Sequence, residues 1–368
     1  MKGLPKNIVI AAGGTGGHLF PAQALARDFQ KENPSYSILF MGKGLSSSPF
    51  FHRELFEYKE VCSSSLSLKH IFRSVGTLLK GIWRAFFLLK ESKPTLIVGF
   101  GSFHVFPVLA AGLLRGIPIV LFESNSVPGK VNRLFSFFAI FSGLQFFSAQ
   151  KHMKGKCLEV QIPLWRVFSK KTTKQEAASY FSLSSDVFTF LVFGGSQGAK
   201  SLNGILLDVF ASLKSRGVVF QVIHCIGSAA SLEEIQNHYA QCQIPVCVKS
   251  FEERMDLAWV LADAAICRSG AATLSELLLF EVPSLLIPYP YASENHQLKN
   301  SLFFRDEVGG AFILEEKDIC FDKMQLFLEF LRDTSKNNSM KESIKEFKAK
   351  QKATSLSHLI RKSIDIVV

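Results

Sequence analysis

The chain has 368 residues, with 42 Lys and Arg against 31 Asp and Glu and a formal net charge of +11. That length holds about two domains, each with its own core, and requires no third. The charge implies an anionic partner or surface and leaves nucleic acid, nucleotide sugar and anionic membrane open. The cysteines at 62, 157, 225, 242, 247, 267 and 320 are odd in number and form no CxxC pair, so neither a disulfide framework nor a zinc site is indicated and a reducing, cytoplasmic setting fits best.

The chain opens on a short apolar run, Ile8 to Ala12, which reads as a first strand; a signal peptide needs a longer run. No stretch of about 20 uninterrupted apolar residues follows anywhere, so no spanning helix is expected. Short apolar runs then alternate with longer helical patterns. In the first half strands are predicted at Asn7 to Ala12, Tyr36 to Met41, Thr95 to Gly99 and Pro118 to Phe122. In the second half they are predicted at Val187 to Phe193, Val218 to Ile226, Val246 to Ser250, Ala264 to Cys267 and Ser284 to Pro288. Strands separated by helices mean βαβ units and parallel sheets, an α/β architecture. The polar stretch Lys151 to Glu176, broken by Pro163, places a linker near residues 163 to 170. The expected domains are therefore 1–165 and 166–344, with a lysine-rich C-terminal helix over 345–368 capping the first. Of the 35 Phe many lie in Leu134 to Phe147 and around Phe100 to Phe106, and an exposed subset would make a membrane-seeking surface.

Each half carries a glycine-rich turn after an apolar strand: Gly13-Gly14-Thr15-Gly16-Gly17-His18 and Gly194-Gly195-Ser196-Gln197-Gly198-Ala199. The pair reads as two doubly wound nucleotide-fold domains with a cleft between them. The first turn lacks the third small residue of a dinucleotide fingerprint, since Leu19 stands there, and the second strand ends at Met41-Gly42-Lys43 without a ribose-binding acid, which argues against NAD. What remains is bare backbone that can approach an anion, followed by His18, which either caps the turn or titrates in catalysis. The second turn misses a Walker A loop by one residue, Ala199 in place of glycine. It reads instead as amides meeting one or two phosphates, with Ser196 and Gln197 as side-chain donors.

A third site is Cys267-Arg268-Ser269-Gly270-Ala271-Ala272-Thr273-Leu274-Ser275-Glu276, where a strand opens into a helix. Glu276 stands about one turn in, either as a clamp on two vicinal hydroxyls or as an ordinary first-turn acid favoured by the helix dipole. The loop Pro288 to Gln297 follows another strand and is rich in amide and aromatic groups, as ligand loops of open sheets are. His296 has no partner at ligand spacing and no D-x-D pair occurs, so no metal is expected. Over Lys69 to Leu89 the residues Lys69, Arg73, Lys80 and Arg84 share one helical arc, with Ile71, Val75, Leu78, Leu79, Ile82, Phe86 and Leu89 opposite. That pattern is either a solvated basic face over a buried apolar one or a membrane-surface element.

Taken together, GGTGGH, GGSQGA, CRSGAATLSE and His296-Gln297 resemble the bacterial MurG family of N-acetylglucosaminyltransferases of peptidoglycan synthesis, in order and over nearly the whole chain. The resemblance implies a GT-B fold, two Rossmann-like domains facing a central cleft, at the cytoplasmic face of the inner membrane. It implies transfer of GlcNAc from UDP-GlcNAc to the C4 hydroxyl of undecaprenyl-diphospho-MurNAc-pentapeptide with inversion, without a cofactor and without nucleic acid as a partner. It places Thr15, Gly16 and Gly17 at the donor and acceptor phosphates and Asn125 at the GlcNAc. Ser196 meets the diphosphate, Ala271, Ala272, Thr273, Leu274 and Ser275 the phosphate and ribose region, Glu276 the ribose hydroxyls, Gln297 the sugar, and Glu252 the uracil through its backbone. Two motifs depart from the family. Its Gly-Asn-Pro-x-Arg junction appears as Gln161 to Arg166, shifted by one residue, with Arg166 at the donor-contact position. Its second glycine-rich loop is the bulkier Gly99-Phe100-Gly101-Ser102-Phe103-His104.

An inverting transfer is a single displacement, so one base on the acceptor side is needed, and His18 or Glu123 is the expected one. The departing UDP needs no acid if helix N-termini and amides meet its charge. The rival functions are a UDP-sugar transferase of the same fold with another acceptor, a non-catalytic nucleotide-binding module and, least supported, an NTPase.

Overall fold

A computed structural model describes residues 7–65, 71–163, 172–194, 200–227, 231–351 and 353–367. The chain divides into two compact units, Met1–Val167 with Lys352–Val368, and Phe168–Gln351.

In the first unit the elements run β1 (Asn7–Ala11), α1 (Gly16–Glu32), β2 (Ser37–Gly42), β3 (Glu57–Glu60), α2 (Ile71–Ser92), β4 (Leu96–Gly99), α3 (Phe106–Leu114), β5 (Ile119–Glu123), α4 (Lys130–Phe135), β6 (Phe141–Leu144) and β7 (Cys157–Gln161). The second unit contributes α5 (Lys174–Phe181), β8 (Thr189–Phe193), α6 (Lys200–Ser215), β9 (Gln221–Cys225), α7 (Leu232–Gln241), β10 (Val246–Lys249), α8 (Met255–Leu261), β11 (Ala264–Cys267), α9 (Ala271–Phe280), β12 (Ser284–Leu286), α10 (His296–Phe303), β13 (Ala311–Ile313), α11 (Phe321–Arg332) and α12 (Thr334–Lys350). The chain then returns to the first unit as β14 (Thr354–Ser355) and α13 (Leu356–Val367).

The first sheet has the order β14-β7-β6-β5-β4-β1-β2-β3 with every pairing parallel. Central strands such as NIVIA, LIVG and IVLFE are apolar almost throughout because both faces are covered. Alternation sends Ile8 and Ile10 to one face, against Leu19, Ala22, Leu25 and Phe29 of α1 and Leu356 and Ile360 of α13. Val9 and Ala11 go to the other, against Ala85 and Leu89 of α2, Val108, Leu109 and Ala111 of α3, and Phe135 of α4.

The second sheet, β10-β9-β8-β11-β12-β13, is also parallel throughout. Phe190, Val192, Val222 and Ile266 face Leu202, Leu206 and Phe210 of α6, Tyr239 of α7 and Met324 and Leu328 of α11. On the opposite face Trp259 of α8 meets Phe193 edge-on at 5.5 Å and stacks on Phe280 of α9 at 6.3 Å.

Each sheet therefore has one point at which strand order reverses, between β1 and β4 in the first and between β8 and β11 in the second. Loops leaving the carboxyl ends of those strands run apart and leave a crevice, the usual ligand position of open α/β sheets. The Gly13 to His18 motif follows β1 and the Cys267 to Glu276 motif follows β11, so both lie at these points, whereas residues 195–199 of the remaining motif lie outside the described residues.

Candidate active site

In the first unit the turn after β1 leads into α1 with Thr15 as its N-cap, the backbone N–H of His18 and of Leu19 donating to the Thr15 carbonyl. Thr15 and Gly17 are exposed and Gly16 and His18 half-buried. The first turn of α1 holds no acidic residue, so its orphan N–H groups and the positive end of the helix dipole face outward for an anion. The Thr15 hydroxyl lies 3.3 Å from His18 Nδ1 and orients the imidazole at the edge of that anion site.

Glu123, the last residue of β5, behaves differently from what a catalytic base requires. It is 4% exposed. Its Oε1 accepts from the backbone N–H and side-chain amide of Asn125, both at 2.9 Å, and its Oε2 from the Gly129 N–H at 3.1 Å and the Asn132 amide at 3.0 Å. Four donors use up the lone pairs of a carboxylate. Glu123 thus folds the β5–α4 loop around itself and fixes Asn125. Taking a substrate proton would break that loop, and of the two expected bases the geometry favours His18.

Asn132 of α4 was not visible as a site residue. It is 1% exposed, donates also to the Phe122 carbonyl at 2.9 Å, and sits 3.0 Å from where a Cβ on Gly101 would stand, so it ties the loop after β5 to the loop after β4. A single asparagine in Gly129-Lys130-Val131-Asn132-Arg133 carries no spacing signal, and only the fold reveals it.

In the second unit the N-terminus of α9 is capped by Gly270 and free of acidic residues in its first turn. Six consecutive residues, Ala271 to Glu276, are expected at the donor, but a helix shows only one face to a crevice. The side chains of Ala271, Leu274 and Ser275 are buried, and the Ser275 hydroxyl bonds back to the Ala271 carbonyl at 2.9 Å. Ala272, Thr273 and Glu276 are half-buried and form the accessible face, so the expectation narrows to those three side chains together with the backbone of the first turn.

Glu276 Oε2 accepts from the indole N–H of Trp259 at 3.0 Å. Burial pushes its pKa up to about 7, against which the Trp259 bond works to lower it. Its apolar surroundings make an unfilled carboxylate costly there. Ligand hydroxyls donating to it would relieve that cost.

Ser269 links this helix to α10. Its hydroxyl donates to the Gln297 carbonyl at 2.8 Å, and its carbonyl accepts from the Asn300 amide at 3.1 Å. The Gln297 side-chain oxygen accepts from the Tyr289 N–H at 2.9 Å, leaving its amide N–H groups as the donors available to a ligand. Two successive left-handed residues, Glu294 (φ 53°) and Asn295 (φ 57°), bring α10 to this position. Arg268 is buried and structural, donating to the Ile287 and Pro288 carbonyls at 3.2 Å each and pairing with Glu316 at 2.8 Å. Glu252 is 3% exposed, with its carboxylate held by Lys249 at 2.5 Å, the Arg254 N–H at 2.6 Å and the Tyr180 hydroxyl at 3.2 Å. Its side chain is committed inside the unit, and only its backbone is left for a ligand.

Arg166, Ser196, Gln197 and Lys69 lie outside the described residues. Among the described residues no group of three or more His, Cys, Asp or Glu comes together to hold a metal ion.

The α2 pattern needs a correction. Ser74, Gly81, Ala85 and Leu89 form its buried side, while Phe72 (92% exposed), Val75, Leu79 (61%), Trp83 (68%) and Phe87 make an exposed apolar stripe. Val75 and Leu79, which the solvated-face reading buries, face solvent. Small residues pack inward because Gly81 sits against the Cys62 carbonyl and Pro107, where a Cβ would collide. Arg73, Lys80 and Arg84 are exposed beside the stripe.

Residues 8–140 match the N-terminal domain of glycosyltransferase family 28, and residues 189–359 match that family's C-terminal domain. Over 365 residues, 97% of this chain and 96% of the relative, it is 40% identical to the UDP-N-acetylglucosamine--N-acetylmuramyl-(pentapeptide) pyrophosphoryl-undecaprenol N-acetylglucosamine transferase of Protochlamydia amoebophila. The protein of the same description from Chlamydia pneumoniae is 33% identical over 96% of this chain and 97% of its own. The chain belongs to the MurG family. The crystal structure of Acinetobacter baumannii MurG superposes over 99% of both chains with a TM-score of 0.75 at 23% identity, a likeness of fold. The two Rossmann-like units are thus those of a GT-B glycosyltransferase, as the MurG motifs imply.

Proposed function

We infer that this protein transfers GlcNAc from UDP-GlcNAc to the C4 hydroxyl of undecaprenyl-diphospho-MurNAc-pentapeptide, inverting the anomeric centre. The observation that carries the reading is 40% identity across 97% of the chain with a transferase so described. The two switch points supply a compatible chemistry. On the donor side Glu276 accepts from the ribose hydroxyls, the α9 amides meet the diphosphate and Gln297 donates to the sugar. On the acceptor side the N-terminus of α1 holds a phosphate, and His18 takes the proton from the attacking hydroxyl as the bond from C1 to UDP breaks. The charge that develops on UDP is met by helix N-termini, with no metal in the step.

Release of UDP from UDP-GlcNAc, measured in EDTA with and without a short-chain lipid-linked MurNAc-peptide, tests this. Release that depends on the acceptor is expected. Donor binding without release would mean a different acceptor, and no donor binding would refute the Glu276 assignment.

We place the first unit at the cytoplasmic face of the inner membrane through α2. The support is its exposed Phe72, Val75, Leu79, Trp83 and Phe87 beside Arg73, Lys80 and Arg84, with Lys69 extending the basic row in sequence. An apolar stripe flanked by cations suits an anionic lipid surface. No described helix is long and apolar enough to cross a membrane. Reversing Lys69, Arg73, Lys80 and Arg84 to Glu is expected to abolish co-sedimentation with anionic vesicles.

A further inference from the structure

The loop after β4, Phe100-Gly101-Ser102-Phe103-His104, carries bulky side chains, and the structure shows where the bulk goes. Gly101 (φ 77°) and Ser102 (φ 70°) are both left-handed, which costs a serine strain that glycine would not pay. They turn the chain so that His104 passes directly against the Gly13–Gly14 turn. A Cβ on Gly13 would stand 2.9 Å from His104 Cβ, and one on Gly14 would stand 2.8 Å from both Cε1 and Nδ1 of the ring. The Lys43 carbonyl also stands 2.6 Å from that Gly13 Cβ position.

The imidazole itself is fixed. It stacks on Phe103 at 4.0 Å between centroids, its Nδ1 lies 2.7 Å from the Ser102 hydroxyl, and the Phe103 carbonyl accepts from the Ser63 hydroxyl at 2.5 Å. Burial lowers its pKa first and the Lys43 charge adds to this, while Glu60, which is occupied by the N–H groups of Gly44 and Ser46, works in the other direction. The neutral ring is therefore the form that packs at neutral pH.

We propose that His104 is a positioning residue for the transfer: its ring is the wall against which Gly13 and Gly14 rest, and it thereby sets where Thr15 and His18 stand. The inference rests on the reading of the reaction given above. Bulk in the second loop replaces the freedom of a glycine and turns a soft crevice wall into a hard one. A hard wall matters because misplacing a catalytic group by about 1 Å costs on the order of 10²-fold in rate. The residues read as holding the donor's ribose and sugar, Glu276 and Gln297, belong to the other unit, so the effect falls on transfer rather than on donor affinity.

Steady-state transfer by wild type, His104→Ala, His104→Phe and Ser102→Ala, with UDP-GlcNAc affinity measured alongside, tests it. In His104→Ala turnover is expected to fall about 10- to 100-fold with donor affinity within twofold of wild type. His104→Phe, which keeps a flat ring, recovers most of that loss, and a merely destabilised fold would show no such rescue. Turnover of a folded His104→Ala within twofold of wild type, an equal loss of donor affinity, or a His104→Phe as slow as His104→Ala would overturn the proposal. Should His104→Ala fail to fold, Ser102→Ala decides: a loss of about threefold or more supports it, and none overturns it. Wild-type protein without transfer would overturn the reaction and this inference together, whereas active wild type with unaffected variants overturns this inference alone.

Discussion

The two crevices each present a glutamate near the carboxyl end of a central strand, and the two carboxylates could hardly be treated more differently. Glu123 receives four hydrogen bonds from its own loop. Glu276 receives one, from Trp259, in surroundings that push its pKa up to about 7. A carboxylate whose lone pairs are all used is holding structure. One that is desolvated and half-satisfied is prepared for a ligand, because incoming hydroxyls regain what burial has taken. His18, by contrast, is half-buried in the first turn of α1, with its Nδ1 3.3 Å from the Thr15 hydroxyl.

The largest effect expected from this contrast is at His18. Removing a general base lowers turnover by about 10²- to 10⁴-fold, so His18→Ala should fall in that range with UDP-GlcNAc affinity unchanged. Steady-state kinetics beside donor titration checks it, and near-normal turnover would return the base to the loop after β5. Glu123→Gln should behave otherwise. The new amide donates where two N–H groups already point, so buried donors lose their acceptor at about 1–3 kcal/mol each. Thermal stability and turnover should therefore fall together. A variant that melts as wild type does yet has lost turnover would make Glu123 the base after all.

Glu276 sharpens the other half of the contrast. Glu276→Gln loses charge-assisted hydrogen bonds of about 1.5–3 kcal/mol, so donor affinity should drop about 10- to 100-fold with little change in the acceptor response. The empty protein should respond in the opposite sense. The folded pKa of about 7 lies above the carboxyl's unfolded 4.5, so folding binds a proton between those values. Glu276 is no burden to the fold below pH 4.5, becomes one progressively from pH 4.5 to 7, and remains one above. Without ligand, Glu276→Gln should therefore match wild type in melting at low pH and exceed it at pH 8. A variant less stable than wild type at pH 8 would contradict the burial argument.

What could be read from the sequence follows the same physical line. Strands β1, β4, β5, β8 and β11 stand in the middle of their sheets and are largely apolar runs with glycine or serine within two residues of each carboxyl end, so the strands and the motifs after them were legible. The edges were not. β3 is Glu-Tyr-Lys-Glu, charged as an edge strand is to discourage further pairing, and β7 lies in a polar stretch that reads as linker. β14 is two residues long and reaches its partner across most of the chain. Within the sites, the turn and helix motifs pointed to His18 and Glu276, and the family resemblance to Thr15. Neither could show that Glu123 faces four donors, that Leu274 points into the core, or that Asn132, His104 and Trp259 support the loops, because those facts exist only once distant segments meet. On α2 the sequence left two readings open, and the exposed apolar stripe departs from the one that buries it, since small residues rather than large ones fit against Cys62 and Pro107.

The smallest effect we expect lies one bond behind Glu276. Trp259 is 1% exposed and packs between Phe193 and Phe280, so Trp259→Phe keeps most of the ring contact and removes the indole N–H. That N–H is the one contribution holding the Glu276 pKa down, so its loss should move the carboxyl further up. Donor binding that needs the ionised carboxylate should then strengthen with pH along a curve displaced to higher pH than in wild type. At pH 7 affinity should fall about 3- to 10-fold, because a hydrogen bond to an ionised carboxylate is worth about 1.5 kcal/mol or more, and at pH 9 the difference should largely close as the carboxyl ionises in both proteins. Isothermal titration of UDP-GlcNAc across that range separates this from simple loss of packing, which would weaken binding equally at every pH.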